Sequence, residues 1–366
     1  MAQRRARQAQ VASGFVVFYT GCMTTTVSNF ALSDAEWLAH RHVEGQDSFR
    51  MIHVPRALHS GVPFLTDEYL GGRATQDIPA QAAMALPAGS QPDGPALHFL
   101  FHSAFCGSTL LTRALDHAGL SMGLSEPVLI NDVVGFRRRG APPAAVARLA
   151  DLSLRLLARP FGRGEAVIVK PSNVINPLAH LLLALRPGAR VVFLYAPLPI
   201  FLTSVVRKGL ECRLWARELL AGYIRDGVVD LGFSAEEYFR LTDLQVAAVG
   251  WLVQHRLFTA LAKTAGPQRI ASLDSERLTD DPAASIAAVL RHYGMRADAA
   301  IVAAILGGPA FGKHSKSGAV YSADTRRADY AAAHRAHADE IDKVCGWAEQ
   351  VAAGVGLAMT GHHPLL

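Results

Sequence analysis

From residue 96 onward, short apolar runs alternate with segments whose apolar positions recur every three to four residues. "ALHFLF" (96–101) reads as a buried strand. "STLLTRALDHAG" (108–119) sets Leu110, Leu111, Ala114 and Leu115 on one helical face, and Gly119 stops it. "EAVIVK" (165–170) is a second strand, and "NPLAHLLLALRPG" (176–188) a helix ended by Pro187-Gly188. "ARVVFLYA" (189–196) is almost wholly apolar, as a central parallel strand should be. Residues 199–263 read as mainly helical, "RIASL" (269–273) as a fourth strand, and 281–295 as a helix. Asp281 caps that helix and Gly294 lies near its exit. Helix returns from Ser322 to about Ala353. This alternation predicts an α/β fold, a parallel sheet flanked by helices.

Upstream the pattern is mixed. "LSDAEWLAH" (32–40) predicts a short helix with Ser33 as cap and Glu36 at capping-box spacing. Turn signals follow, and "LPAGSQPDGP" (86–95) reads as a linker. Residues 23–95 are therefore read as an N-terminal appendage or cap, and 96–366 as the α/β domain. Residues 1–22 run from basic "MAQRRARQAQ" into a short apolar stretch ending at Cys22. They resemble a weak signal peptide or lipoprotein box, which Tyr19 and Thr20 fit poorly, and read as an extension outside the fold.

Half of the 366 residues are hydrophobic and 18% are charged, which excludes disorder for most of the chain. No apolar run is long enough to span a membrane. The net charge of +5 suits a small polyanionic ligand. Nucleic acid is not expected, because no dense Lys/Arg stripe is interleaved with aromatics. The densest basic run, "FRRRG" (136–140), reads as a solvated loop. Cys22, Cys106, Cys212 and Cys345 are far apart, against a zinc site or disulfide framework and for a reducing, cytoplasmic setting. The histidines show no metal-binding spacing, so no metal is assigned.

The chemistry concentrates in "HSAFCGST" (102–109), between the first strand and its helix. Ligands of parallel sheets lie at the carboxyl ends of the strands. Backbone amides and the helix dipole there favour an anion, and Ser103, Ser108 and Thr109 add hydroxyls. The turn also fits a plain strand–helix connection in which Ser108 or Thr109 only caps. It is not a Walker A loop: His102 stands for the first Gly and Ser108 for the Lys. Nor does it match a Cys-dependent phosphatase loop, since six residues separate Cys106 from Arg113; a small buried Cys is the better reading. Lys170, at the end of the second strand, requires an anion nearby, because an unpaired buried charge is costly.

Four blocks in order resemble the sulfotransferase family, which uses 3′-phosphoadenosine-5′-phosphosulfate (PAPS) on a P-loop NTPase-like fold. "FHSAFCGSTLLTRALD" (101–116) resembles the 5′-phosphosulfate loop. Residues 167–209 resemble the Lys-Thr-Pro element, its helix, the next strand and the 3′-phosphate segment, with Ser204 at the family's Ser. "ERLTDDPAASIAAVLRHYGM" (276–295) is similar to a structural helix, and "KHSKSG" (313–318) to a late basic loop. Two family cations are replaced, by Phe105 in the loop and by Ala196 eight residues before Ser204.

The resemblance implies sulfuryl transfer from PAPS, without metal, to a hydroxyl or amine of a small-molecule or carbohydrate acceptor. Ser103, Cys106, Gly107, Ser108 and Thr109 would hold the 5′-phosphosulfate. Ser204, Arg207, Lys208 and Lys316 would hold the 3′-phosphate. Lys170 and His102 would supply positive charge, and Glu126 would be the base; residues 23–95 would shape the acceptor side. Two alternatives stay open. One is a P-loop-fold nucleotide kinase or phosphotransferase. The other is a sulfotransferase-fold protein that binds without catalysis.

Overall fold

The computed structural model describes residue 32 and residues 34–87, 96–312 and 323–366. Cys22, Ser33 and the block 313–318 with Lys316 lie outside the described residues. Two sheets are present among them. The smaller is antiparallel, built from β1 (Trp37–Val43), β2 (Ser48–His53) and β3 (Thr75–Pro79) in that order. The expected helix over 32–40 is therefore corrected: most of it is β1. Trp37, Leu38, Ala39 and His40 are all buried, so packing on both faces overrides the helix propensity of Ala, Glu and Leu.

The larger sheet is wholly parallel, in the order β5-β6-β4-β7-β8. Its strands are β4 (Leu97–His102), β5 (Ser121–Ser125), β6 (Ala166–Lys170), β7 (Val191–Tyr195) and β8 (Ile270–Asp274). Four of the five match the expected runs, and the α/β class is the one expected. β5, "SMGLS", carried no strand signal. It is fully buried, and its glycine is required by a close approach. A Cβ on Gly123 would stand 2.4 Å from the Thr112 carbonyl oxygen of the neighbouring helix.

Helices cover the sheet: α1 (Ser108–Leu115), α2 (Val128–Arg138), α3 (Pro143–Leu157) and α4 (Ala179–Leu185). They continue with α5 (Leu198–Arg207), α6 (Gly209–Arg225) and the long α7 (Asp243–Ala265). Last come α8 (Ser275–Asp280), α9 (Pro282–Tyr293) and α10 (Ala323–Gly354). Asp281 caps α9 by accepting from the Ala284 amide, and Gly294 ends it in a left-handed conformation, both as the sequence suggests. No helix among the described residues is long and apolar enough to cross a membrane.

The basic run 136–140 is not a solvated loop. It spans the last turn of α2 and the turn that follows, with Arg137 and Arg138 half-buried and Arg139 exposed. Arg138 pairs with the nearly buried Asp226 at 2.7 Å, Arg137 donates to the Asp226 carbonyl, and Arg139 pairs with Glu44. These arginines tie α2 to the exit of α6 and to the small sheet.

The core strand β4 lies between β6 and β7, with all six residues buried. The chain leaves β4 toward β5 on one side and leaves β6 toward β7 on the other. Connections diverge at the carboxyl end of β4, the switch point where open α/β sheets open a crevice for ligands. Beyond α10, residues 363–365 run alongside β8. Ser272 donates its amide to the His363 carbonyl and accepts from the Leu365 amide.

Candidate active site at the carboxyl rim of the sheet

β4 ends at His102, and the chain turns through Ser103–Gly107 into α1. Ala104, Phe105 and Gly107 have φ of 73°, 53° and 79°. Glycine adopts that region freely, whereas Ala104 and Phe105 are held there at a cost of about 1–3 kcal/mol each. Glu126, just past β5, is also left-handed at φ 52°. Strained residues of this kind concentrate where function over-determines the backbone. The first-turn amides of α1 have no partner within the helix and open at the turn.

Three side chains from neighbouring strand ends meet beside it. The Lys170 ammonium, fully buried, lies 2.5 Å from Glu126 Oε1 and 3.4 Å from Ser125 Oγ. Glu126 Oε1 lies 3.8 Å from His102 Nε2. The Glu126 amide donates to the Lys170 carbonyl at 2.7 Å, so the backbone locks the pair in register. The anion that a buried Lys170 demands is therefore Glu126, 44 residues away in sequence. Phe64, from the segment between β2 and β3, lays its ring 4.9 Å from the ammonium.

His102 does not serve as a cation in this arrangement. Its Nδ1 accepts the Ala104 amide at 3.1 Å, so the proton sits on Nε2 and points at the Pro171 carbonyl, also 3.1 Å away. The imidazole is neutral. It pins the start of the turn to the end of β6.

A buried polar network holds the turn from behind. Ser103 Oγ accepts the Ala196 amide at 3.1 Å, and the indole of Trp251 donates to the Ala196 carbonyl at 2.9 Å. Ala196, the position without the family's Arg, thus fixes the loop through its backbone. Asn173 donates to the His102 carbonyl at 2.9 Å and to Gln254 Oε1 at 2.7 Å, and Asn176 donates to Gln254 Oε1 at 2.9 Å. Gln254 in turn reaches the Ser103 carbonyl at 3.5 Å. Nothing in the sequence motifs singles out these three residues; the signal available is a glutamine inside the apolar run of α7.

The Cys106 thiol is buried against the amide and hydroxyl of Ser108, and burial pushes its pKa up, which disfavours the thiolate a nucleophile needs. Ser108 and Thr109 begin α1 with little exposure. Phe105 fills the place of the missing cation with apolar contact. Its ring centroid lies 5.6 Å from that of Phe201 and 5.3 Å from that of Trp215, with the Lys208 ammonium 5.5 Å from the Phe105 centroid.

Ser204 and Arg207 lie on α5. Ser204 Oγ donates to the Ile200 carbonyl at 3.0 Å and lies 2.7 Å from the Tyr330 hydroxyl. The Arg207 guanidinium lies 4.8 Å from the centroid of the Tyr330 ring and 4.0 Å from Asp329. No group of three or more His, Cys, Asp or Glu among the described residues could hold a metal.

No family model and no curated protein matches the chain. Among solved structures, it is similar to the sulfotransferase domain from the curacin biosynthetic pathway: 14% identity, 73% of this chain and 99% of that one, TM-score 0.43. The sulfotransferase domain from the Synechococcus PCC 7002 olefin synthase gives 15% identity over 65% and 85%, with TM-score 0.38. Sulfotransferase STF9 from Mycobacterium avium gives 12% over 72% and 79%, with TM-score 0.40. These are distant superpositions on members of the family whose motifs the sequence resembles. The functional reading rests on the chain's own residues.

Proposed function

We propose that the chain is a PAPS-dependent sulfotransferase acting on a hydroxyl or amine of a small-molecule or carbohydrate acceptor. The observation that carries this reading is the convergence of Glu126, Lys170 and the strained turn 103–107 on one rim of the parallel sheet. The amides opening α1, with the hydroxyls of Ser108 and Thr109, receive the 5′-phosphosulfate. Ser204, Arg207, Lys208 and Lys316 receive the 3′-phosphate.

The acceptor oxygen or nitrogen forms a bond to sulfur as the sulfur–oxygen bond to the 5′-phosphate breaks, and 3′,5′-ADP leaves with the electron pair. The acceptor's proton passes to Glu126. Lys170 acts twice in this scheme. Before transfer it holds Glu126 in place as a carboxylate. Once Glu126 takes the proton, the ammonium loses its counterion and favours the charge growing on the leaving phosphate. Lys170 thereby takes over part of the work of the cation that Phe105 replaces.

Thermal unfolding with 3′,5′-ADP tests the nucleotide half: a clear rise in Tm, lost in Lys170→Ala, is expected. No shift at millimolar ligand sinks it. Turnover of PAPS against an acceptor panel tests the second half. A shift without turnover selects the binding protein suggested by the apolar packing of Phe105. A shift with Mg-ATP alone selects the phosphotransferase.

A further inference from the structure

The first half of α10 covers the residues assigned to the 3′-phosphate, and it is held there differently from the second half. The helix is broken at His337, whose φ of −127° and ψ of 17° are not helical. After the break, Ile341, Val344, Ala348 and Ala352 are buried in the core. From residue 328 to 340 no residue is buried. A helical stretch without buried apolar contacts belongs to the low-stability end of a structure. It meets α5 first through Tyr330, whose hydroxyl lies 2.7 Å from Ser204 Oγ and whose ring centroid lies 4.8 Å from the Arg207 guanidinium, and second through the Asp329–Arg207 pair at 4.0 Å. The second is an exposed pair, of the kind worth little.

Resting on the reading above, we propose that Tyr330 is the key of an autoinhibitory gate formed by residues 328–336 over Ser204 and Arg207. The gate turns about His337. An incoming phosphate takes the Arg207 guanidinium from Asp329, because it brings more charge and an oxygen pair matched to the guanidinium fork. It also takes the Ser204 hydroxyl from Tyr330. A nucleotide without a 3′-phosphate has nothing to exchange for these contacts and leaves the gate shut. The shut gate is thus an autoinhibitory contact: opening it is coupled to the 3′-phosphate, which binds more weakly by the cost of the contacts it displaces.

The test is calorimetric titration of the full chain with 3′,5′-ADP and with 5′-AMP, for the wild type, Tyr330→Phe and Asp329→Asn. Hydrogen exchange of residues 328–336 is followed alongside. Each variant should bind 3′,5′-ADP more tightly, by about two- to tenfold for Tyr330→Phe, with 5′-AMP unchanged. Saturating 3′,5′-ADP should speed exchange in 328–336 and leave 341–354 as it was. Weaker binding in Tyr330→Phe makes Tyr330 a ligand contact and overturns the gate, as does unchanged affinity in both variants. Slowed or unchanged exchange in 328–336 on saturation also overturns it. If neither the wild type nor the variants bind 3′,5′-ADP, the nucleotide reading falls together with the gate. Equal binding in all three fells only the gate.

Discussion

Lys170 and Glu126 form a partly buried ion pair in which only the carboxylate reaches the surface. Removing one partner of such a pair strands the other, which costs about 3–5 kcal/mol. Glu126→Gln should therefore destabilise the chain to urea by about 3 kcal/mol and cut turnover at least 100-fold, the usual range for a lost general base. Glu126→Gln combined with Lys170→Met should lose less stability than the sum of the single variants, because the charge and its counterion leave together. Additive losses in urea unfolding would show that the two side chains do not depend on each other. The pairing itself was not legible in the sequence. Lys170 reads as a buried cation in search of an anion from its place on an apolar strand. Nothing local to Glu126 identifies it as that anion, because register between β5 and β6 brings the two together. His102 carries a similar lesson. A histidine in a turn reads as a cation or as a hydrogen-bonding group, and only the Ala104 amide aimed at Nδ1 decides for the second.

At the scale of elements, the turn depends on α7. Gln254, buried in the middle of that helix, accepts from Asn173 and Asn176 and donates toward the Ser103 carbonyl. Gln254→Leu should remove one of the two acceptors of each asparagine amide, leaving both on the His102 carbonyl, at roughly 1–3 kcal/mol each in the worst case. It should also weaken 3′,5′-ADP binding, although Gln254 touches no ligand in the proposed site. A variant with full stability and wild-type affinity, measured by urea unfolding and titration, would show that the network is dispensable. The elements themselves were largely readable where packing followed pattern. β4, β6 and β7 read as dominantly apolar runs because both faces of a central parallel strand are buried. β5 escaped because a strand of Ser, Met, Gly, Leu and Ser is shaped by its close contact with α1 and not by hydrophobicity. β1 was misread because its four consecutive buried residues show no alternation.

At the scale of the whole molecule, three of the buried histidines among the described residues, in three different places, are pushed far below the ordinary imidazole range by burial. Burial lowers His59 and His98 to a pKa of about 4 and His255 to about 3. His59 packs on Phe161, His98 stacks on Tyr293, and His255 lies against Trp251. Their folded pKa values lie below the unfolded one, so the unfolded chain binds protons first. The stability they lend is complete above about pH 6.5 and drains away as the pH falls toward 4. The joint slope approaches roughly 4 kcal/mol per pH unit, a large share of an ordinary stability of about 5–15 kcal/mol. Asp116 opposes the trend, since burial raises its pKa. Tm should fall steeply between pH 6.5 and 4.5, and His59→Phe, which removes two unpartnered ring nitrogens, should flatten the curve by about a third. A Tm that holds constant over that range would contradict the burial of these rings.

The pairing of residues 363–365 with β8 bears on handling as much as on architecture. An open edge of a parallel sheet presents unpaired amides and carbonyls to any other chain that can supply a strand. Here Ser272 spends both backbone groups on its own chain. Proteolytic trimming of those few residues would leave the candidate site's rim intact and uncover a template for intermolecular strand addition. Clipped material would then be lost to aggregation while the proposed nucleotide site remained sound.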